Sequence, residues 1–150
     1  MIKTMLRKVK RLLSQPKPSS DIHPTTFPEG LKTALDYANQ NSDSSGVSFN
    51  DYYNLYTYIR HLKPQYVLEC GTGRSTIIIA QAMSENRDES PNDQKLASMK
   101  LISMEDKKEW FEHSQKNIPD KFKDFVEIHH SSLSTSSYSL ITGVIYANKP

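Results

Sequence analysis

The chain has 150 residues, 36% of them hydrophobic and 24% charged, with a net charge of +2, which suits one modest globular domain with an extension and gives no sign of nucleic acid as a partner. Its single cysteine, Cys70, excludes a disulfide framework and fits a reducing, cytoplasmic setting. No apolar run approaches the roughly 20 residues a membrane-spanning helix needs.

Residues 1–13, MIKTMLRKVKRLL, set Ile2, Met5, Leu6, Val9, Leu12 and Leu13 at helical spacing, with Lys3, Arg7, Lys8, Lys10 and Arg11 on the other face. The charges break up the apolar core that a signal peptide requires. The pattern suits a helix lying on an anionic surface, peripheral at the inner membrane face, against the plainer reading of a loosely docked extension. Four prolines, Pro16, Pro18, Pro24 and Pro28, then favour an extended linker, which divides the chain into 1–28 and a domain over 29–150.

Glu29 to Asn39 reads as a short helix and 41–46 as a polar loop. From Ser48, an N-cap with Asp51 three positions on, the series Phe49, Tyr52, Tyr53, Tyr56, Ile59 and Leu62 has helical spacing. Tyr66 to Cys70 reads as a buried strand, cut short by Gly71-Thr72-Gly73 and followed by an apolar helix opening near Ser75 and running through Met83. Glu85 to Gln94 reads as an exposed loop. Lys100 to Met104 is a second strand, Asp106 to Asn117 a second helix with Trp110 and Phe111 inward, and Phe125 to His129 a third strand. Leu140 to Tyr146 offers a fourth. This β-α-β-α-β order implies parallel strands joined by right-handed crossovers, the cofactor half of a doubly wound sheet.

The turn carries the chemistry. Two glycines between a strand and a helix let the backbone approach a ligand closely, and the N–H groups of the new helix face that ligand. Glu69 repels phosphate and attracts ammonium and hydroxyl groups, which favours an amine-bearing nucleoside. Three other readings stand beside this one. A G-x-G-x-x-G dinucleotide turn meets Thr76 where its third glycine belongs; a Walker loop lacks its Gly-Lys-Ser/Thr ending; and the turn can be structural only.

VLECGTGRST and SMEDKKEW together resemble the first and second motifs of the class I S-adenosylmethionine-dependent methyltransferases, over roughly residues 49–132. The resemblance implies an α/β fold, a Rossmann-like doubly wound parallel sheet that is incomplete here, with three to four strands and an N-terminal helical extension. It implies S-adenosyl-L-methionine as the cofactor, with Glu69 on the methionine ammonium, Gly71, Thr72, Gly73 and Ser75 beneath the cofactor, Glu105 on the ribose hydroxyls with Asp106 beside it, and Ser131 near the adenine in place of the family's acidic residue. It implies methyl transfer to an acceptor that the sequence does not name, with no metal.

No spacing among His23, His61, His113, His129 and His130 suits a metal, and adjacent His129 and His130 on a strand point to opposite faces. Seven strands are usual in the family, and the fourth and later ones supply the acceptor side. The chain therefore reads as the N-terminal portion of a longer enzyme, with no identifiable catalytic residue. The alternatives are a non-catalytic cofactor-binding or partner-docking module, which associates through the open edge of its sheet, and a nicotinamide-dependent enzyme.

Overall fold

A computed structural model describes residues 23–42, 46–138 and 141–148, so the basic helix and most of the linker expected before residue 23 lie outside the described residues. The packed core reaches back to Phe27, which the sequence assigns to the linker. Its ring follows a 3-10 turn at Pro24–Thr26, is buried, and stacks on Tyr53 with centroids 5.6 Å apart.

Helix α1 (Glu29–Asn41) buries Leu31, Ala34, Leu35 and Ala38, a one-sided apolar stripe at three- and four-residue spacing. Helix α2 (Phe49–Leu62) starts as its sequence anticipates, with the Asp51 N–H donating to Ser48 Oγ at 3.2 Å. It ends at Lys63, which takes a left-handed φ of 46° and donates its N–H to the Ile59 carbonyl. Strand β1 (Tyr66–Cys70) follows, then helix α3 (Arg74–Glu89), a single turn α4 (Gln94–Ala97), strand β2 (Lys100–Glu105), helix α5 (Lys108–Asn117) and strand β3 (Val126–His130).

The three strands form a parallel sheet in the order β1-β2-β3, the half-sheet expected from the sequence. Its register aligns Val67 with Leu101 and Val126, and Glu69 with Ser103 and Ile128. That row faces α3, and a continuous core joins Leu31, Tyr56, Ile78, Met83, Leu101 and Val126. Helices α1 and α2 flank α3, while α5 packs on β2 and β3 and is tied to α1 by the Tyr37 hydroxyl, which donates to the Asn117 carbonyl at 3.0 Å. The long described helices thus gather on one face.

The opposite row of β1 is bare. Tyr66 is 63% exposed and Leu68 61%, and Cys70 is exposed as well, so this strand and its thiol are not buried as the sequence suggests. An apolar strand is fully buried only with a layer on each face and a neighbour on each edge, and among the described residues β1 has one of each.

Three further differences have local causes. Helix α3 runs on to Glu89 through the expected loop because α2 anchors it: Asn86 is buried and donates to the Ile59 carbonyl at 2.9 Å, Tyr56 donates to Glu85, and Arg60 pairs with Glu85 and Glu89. Trp110 and Phe111 are half-buried rather than inward, since α5 buries none of its residues fully. The anticipated fourth strand exists as β5 (Ile141–Tyr146), but it pairs antiparallel with β4 (Leu133–Tyr138) in a separate two-stranded sheet. Two residues between the strands permit a hairpin, whereas a parallel crossover takes a dozen or more.

Candidate functional site

Parallel neighbours end at a common edge, so the ends of β1 and β2 bring the glycine turn and Glu105 together. The turn is held to the sheet by the Gly71 N–H, which donates to the Met104 carbonyl at 2.7 Å. Gly71 has a left-handed φ of 89°, and a Cβ there would meet nothing within 4 Å. Glycine is required by backbone conformation, and the space above it is open. Thr72 then bridges the strand ends: its N–H and its hydroxyl donate to Glu105 Oε2 at 3.0 and 2.9 Å, and Ser114 Oγ of α5 donates to the Thr72 hydroxyl at 2.9 Å. The Lys107 N–H donates to Glu105 Oε1 at 3.0 Å. Gly73 donates its N–H to Thr76 Oγ1 at 3.0 Å, which closes the turn onto α3.

Glu69 sits on the helix-covered side of the turn, within a set of hydroxyls. Ser75 donates to Oε1 at 2.6 Å, and Thr76 and Ser103 each donate to Oε2 at 2.7 Å. One carboxylate thereby fastens the first turn of α3 to both β1 and β2. Thr76, Ser103 and Ser114 are site residues that sequence reasoning passed over. Thr76 and Ser103 carried a readable signal, since Thr76 lies one turn beyond the glycines and Ser103 is a polar residue in an apolar strand two places before Glu105.

The two carboxyls are driven in opposite directions. Burial pushes Glu69 above the usual carboxylate range, against the three hydroxyl bonds that lower it, and the charge of Glu105 adds to the rise. Burial pushes Glu105 up too, but hydrogen bonds from the Thr72 and Lys107 N–H groups, the Thr72 hydroxyl and the Asp106 N–H outweigh it and hold it below the usual range. Glu105 is therefore the firmly ionised acceptor at the strand edge.

Ser131 is buried at the end of β3 and already engaged. Its N–H donates to the Glu105 carbonyl at 2.8 Å, and its hydroxyl accepts from the Asn148 N–H at 2.8 Å. Asp106 is half-buried beyond Glu105, its carbonyl 3.2 Å from His130 Nε2. His129 turns instead toward Glu127, with 3.4 Å between Nε2 and Oε2, and among the described residues no group of His, Cys, Asp or Glu is arranged to hold a metal. A shallow cleft opens behind the turn, lined by Tyr37, Asn41, Gly73, Thr76, His113 and Asn117 among others, and neither carboxylate lines it.

No family model matches the chain, and no curated protein matches it. Among solved structures it is similar to an O-methyltransferase from Bacillus cereus in complex with SAH (21% identity, TM-score 0.46, covering 87% of this chain and 52% of that one). It is also similar to a methyltransferase from Geobacter sulfurreducens (17% identity, TM-score 0.47, covering 84% of this chain and 57% of that one). The chain spans about half the length of each.

Proposed function

We propose that the chain binds S-adenosyl-L-methionine at the edge where β1 and β2 end, and that the site serves methyl transfer to an acceptor held by other surfaces. The observation that carries this reading is the ionised Glu105 at the end of β2, bridged by Thr72 to a glycine turn with open space above it. A ribose diol can replace the Thr72 hydroxyl on Glu105 Oε2, because that hydroxyl keeps Ser114 as a partner. Glu69 fixes the turn from the helix side, and the methionine ammonium is assigned to its neighbourhood, reached through water. Asp106 borders the ribose position, and Ser131 supports the end of β3 beside the adenine.

Methyl transfer from a sulfonium needs alignment of nucleophile, methyl group and sulfur. Bound here, the cofactor would supply the methyl group and its leaving thioether; the protein's own share would be to hold the ribose through Glu105 and Thr72 and to fix the amino-acid end at the glycine turn. Calorimetric titration with S-adenosylhomocysteine tests the reading. Binding is expected, weakened about 10- to 100-fold by Glu105→Ala through loss of charge-assisted hydrogen bonds. Tighter binding of NAD than of S-adenosylhomocysteine would favour a nicotinamide enzyme.

The bare row Tyr66, Leu68 and Cys70, on a strand edge unpaired among the described residues, supports self-association through β1. Size-exclusion chromatography is expected to give a dimer or larger species that Leu68→Lys returns to a monomer. A monomeric wild-type chain at high concentration removes this partner.

A further inference from the structure

We propose that Arg74 is the receptor for the carboxylate at the amino-acid end of the cofactor, an assignment that rests on reading the site as one for S-adenosylmethionine. Arg74 opens α3 immediately after the glycine turn. Its side chain runs past Gly46, where a Cβ would lie 3.3 Å from Arg74 Cδ and 3.5 Å from Nη1. Gly46 precedes α2, and α2 ends just before β1 begins, so its N-terminal end lies toward the edge where the strands finish. The guanidinium therefore stands between the glycine turn and the segment leading into α2, on the border of the proposed crevice.

Its surroundings leave one N–H of the guanidinium unanswered. Arg74 Nε is buried without a hydrogen-bond partner, alone in this among the side-chain nitrogens and oxygens of the described residues, and the described ion pairs do not include Arg74. The two carboxylates of the site are already occupied, Glu69 by three hydroxyls and Glu105 by Thr72 and Lys107. A buried guanidinium N–H without an acceptor is costly, and the planar fork of arginine matches a carboxylate with two parallel bonds. S-adenosylmethionine presents a ribose diol, an ammonium and a carboxylate. Glu105 suits the first, and of the three groups the carboxylate alone calls for a cation, which Arg74 supplies.

The test is calorimetry on the full chain with ligands that differ in this group. 5′-Methylthioadenosine keeps the nucleoside and thioether but has no amino-acid carboxylate. Arg74→Met is expected to weaken S-adenosylhomocysteine about 10- to 100-fold and to change 5′-methylthioadenosine by less than about threefold, while Arg74→Lys recovers part of the loss. The wild-type chain alone gives a second arm that needs no substitution. It is expected to prefer S-adenosylmethionine at least about tenfold over decarboxylated S-adenosylmethionine, which keeps the ammonium and the diol. Equal weakening of both ligands by Arg74→Met, or no discrimination by the wild-type chain, overturns the assignment of Arg74 and leaves cofactor binding standing. A wild-type chain that binds none of these nucleosides overturns both.

Discussion

The two faces of β1 have different fates. On one, Val67, Leu101 and Val126 alternate into a core with Ile78 and Met83, under a layer in which α3 is flanked by α1 and α2. On the other, Tyr66 and Leu68 of the same β1 stand more than half exposed. Along one strand, apolar neighbours thus alternate between a half-buried Val67 packed against the core and exposed Tyr66 and Leu68. An apolar side chain stabilises a fold only when something packs on it, and strand composition alone does not say whether anything does.

The largest effect that can break or sharpen this contrast is expected from paired truncations. Ile78→Ala, at a site with 0% exposure, is expected to cost about 2–5 kcal/mol in urea denaturation, whereas Leu68→Ala at 61% exposure is expected to stay within about 0.5 kcal/mol. A large loss at Leu68 means that the bare face is covered in solution. A smaller effect, with a change of sign, separates the carboxyls. Glu105 has a lowered folded value, so its stabilisation is present above the ordinary 4.5 and lost as pH falls through the folded value; wild type should lose its advantage over Glu105→Gln in acid. Glu69 has a raised folded value, so its contribution is complete below 4.5 and lost as pH rises through the folded value; Glu69→Gln should gain on wild type with rising pH. Urea titrations at several pH values that show both variants moving the same way would contradict the opposed environments.

Much of the fold was legible because its signals are local. The β1 span, the Ser48 cap and the change of hydrophobic period at the glycine turn each need only a few neighbouring residues. The errors fall where distant contacts decide. Glu85 and Asn86 look like loop residues until Tyr56, Ile59 and Arg60 of α2 supply their partners. Cys70 looks buried until β1 proves to be an edge. The hairpin was missed because Leu133–Tyr138, rich in serine, has little apolar content to announce a strand. Within the site, the meeting of Glu105 and the turn followed from parallel topology, but the hydroxyl set around Glu69 did not, because Ser103 comes from another strand. Arg74 carries no such signal in the sequence, since an unsatisfied buried nitrogen exists only in three dimensions.

The register of β1 has a consequence in time. Tyr66 pairs with Lys100, so during synthesis β1 has no strand partner until the whole of α3, α4 and the start of β2 have been made. At ribosomal rates that interval is roughly 2–7 s, and only the row of β1 facing α3 gains cover while it lasts. The outward row and both strand edges lack a strand partner throughout that interval, and among the described residues β2 alone pairs with β1 afterwards. Newly made chains are therefore most vulnerable to cross-pairing at the strand that carries Glu69 and leads into the glycine turn.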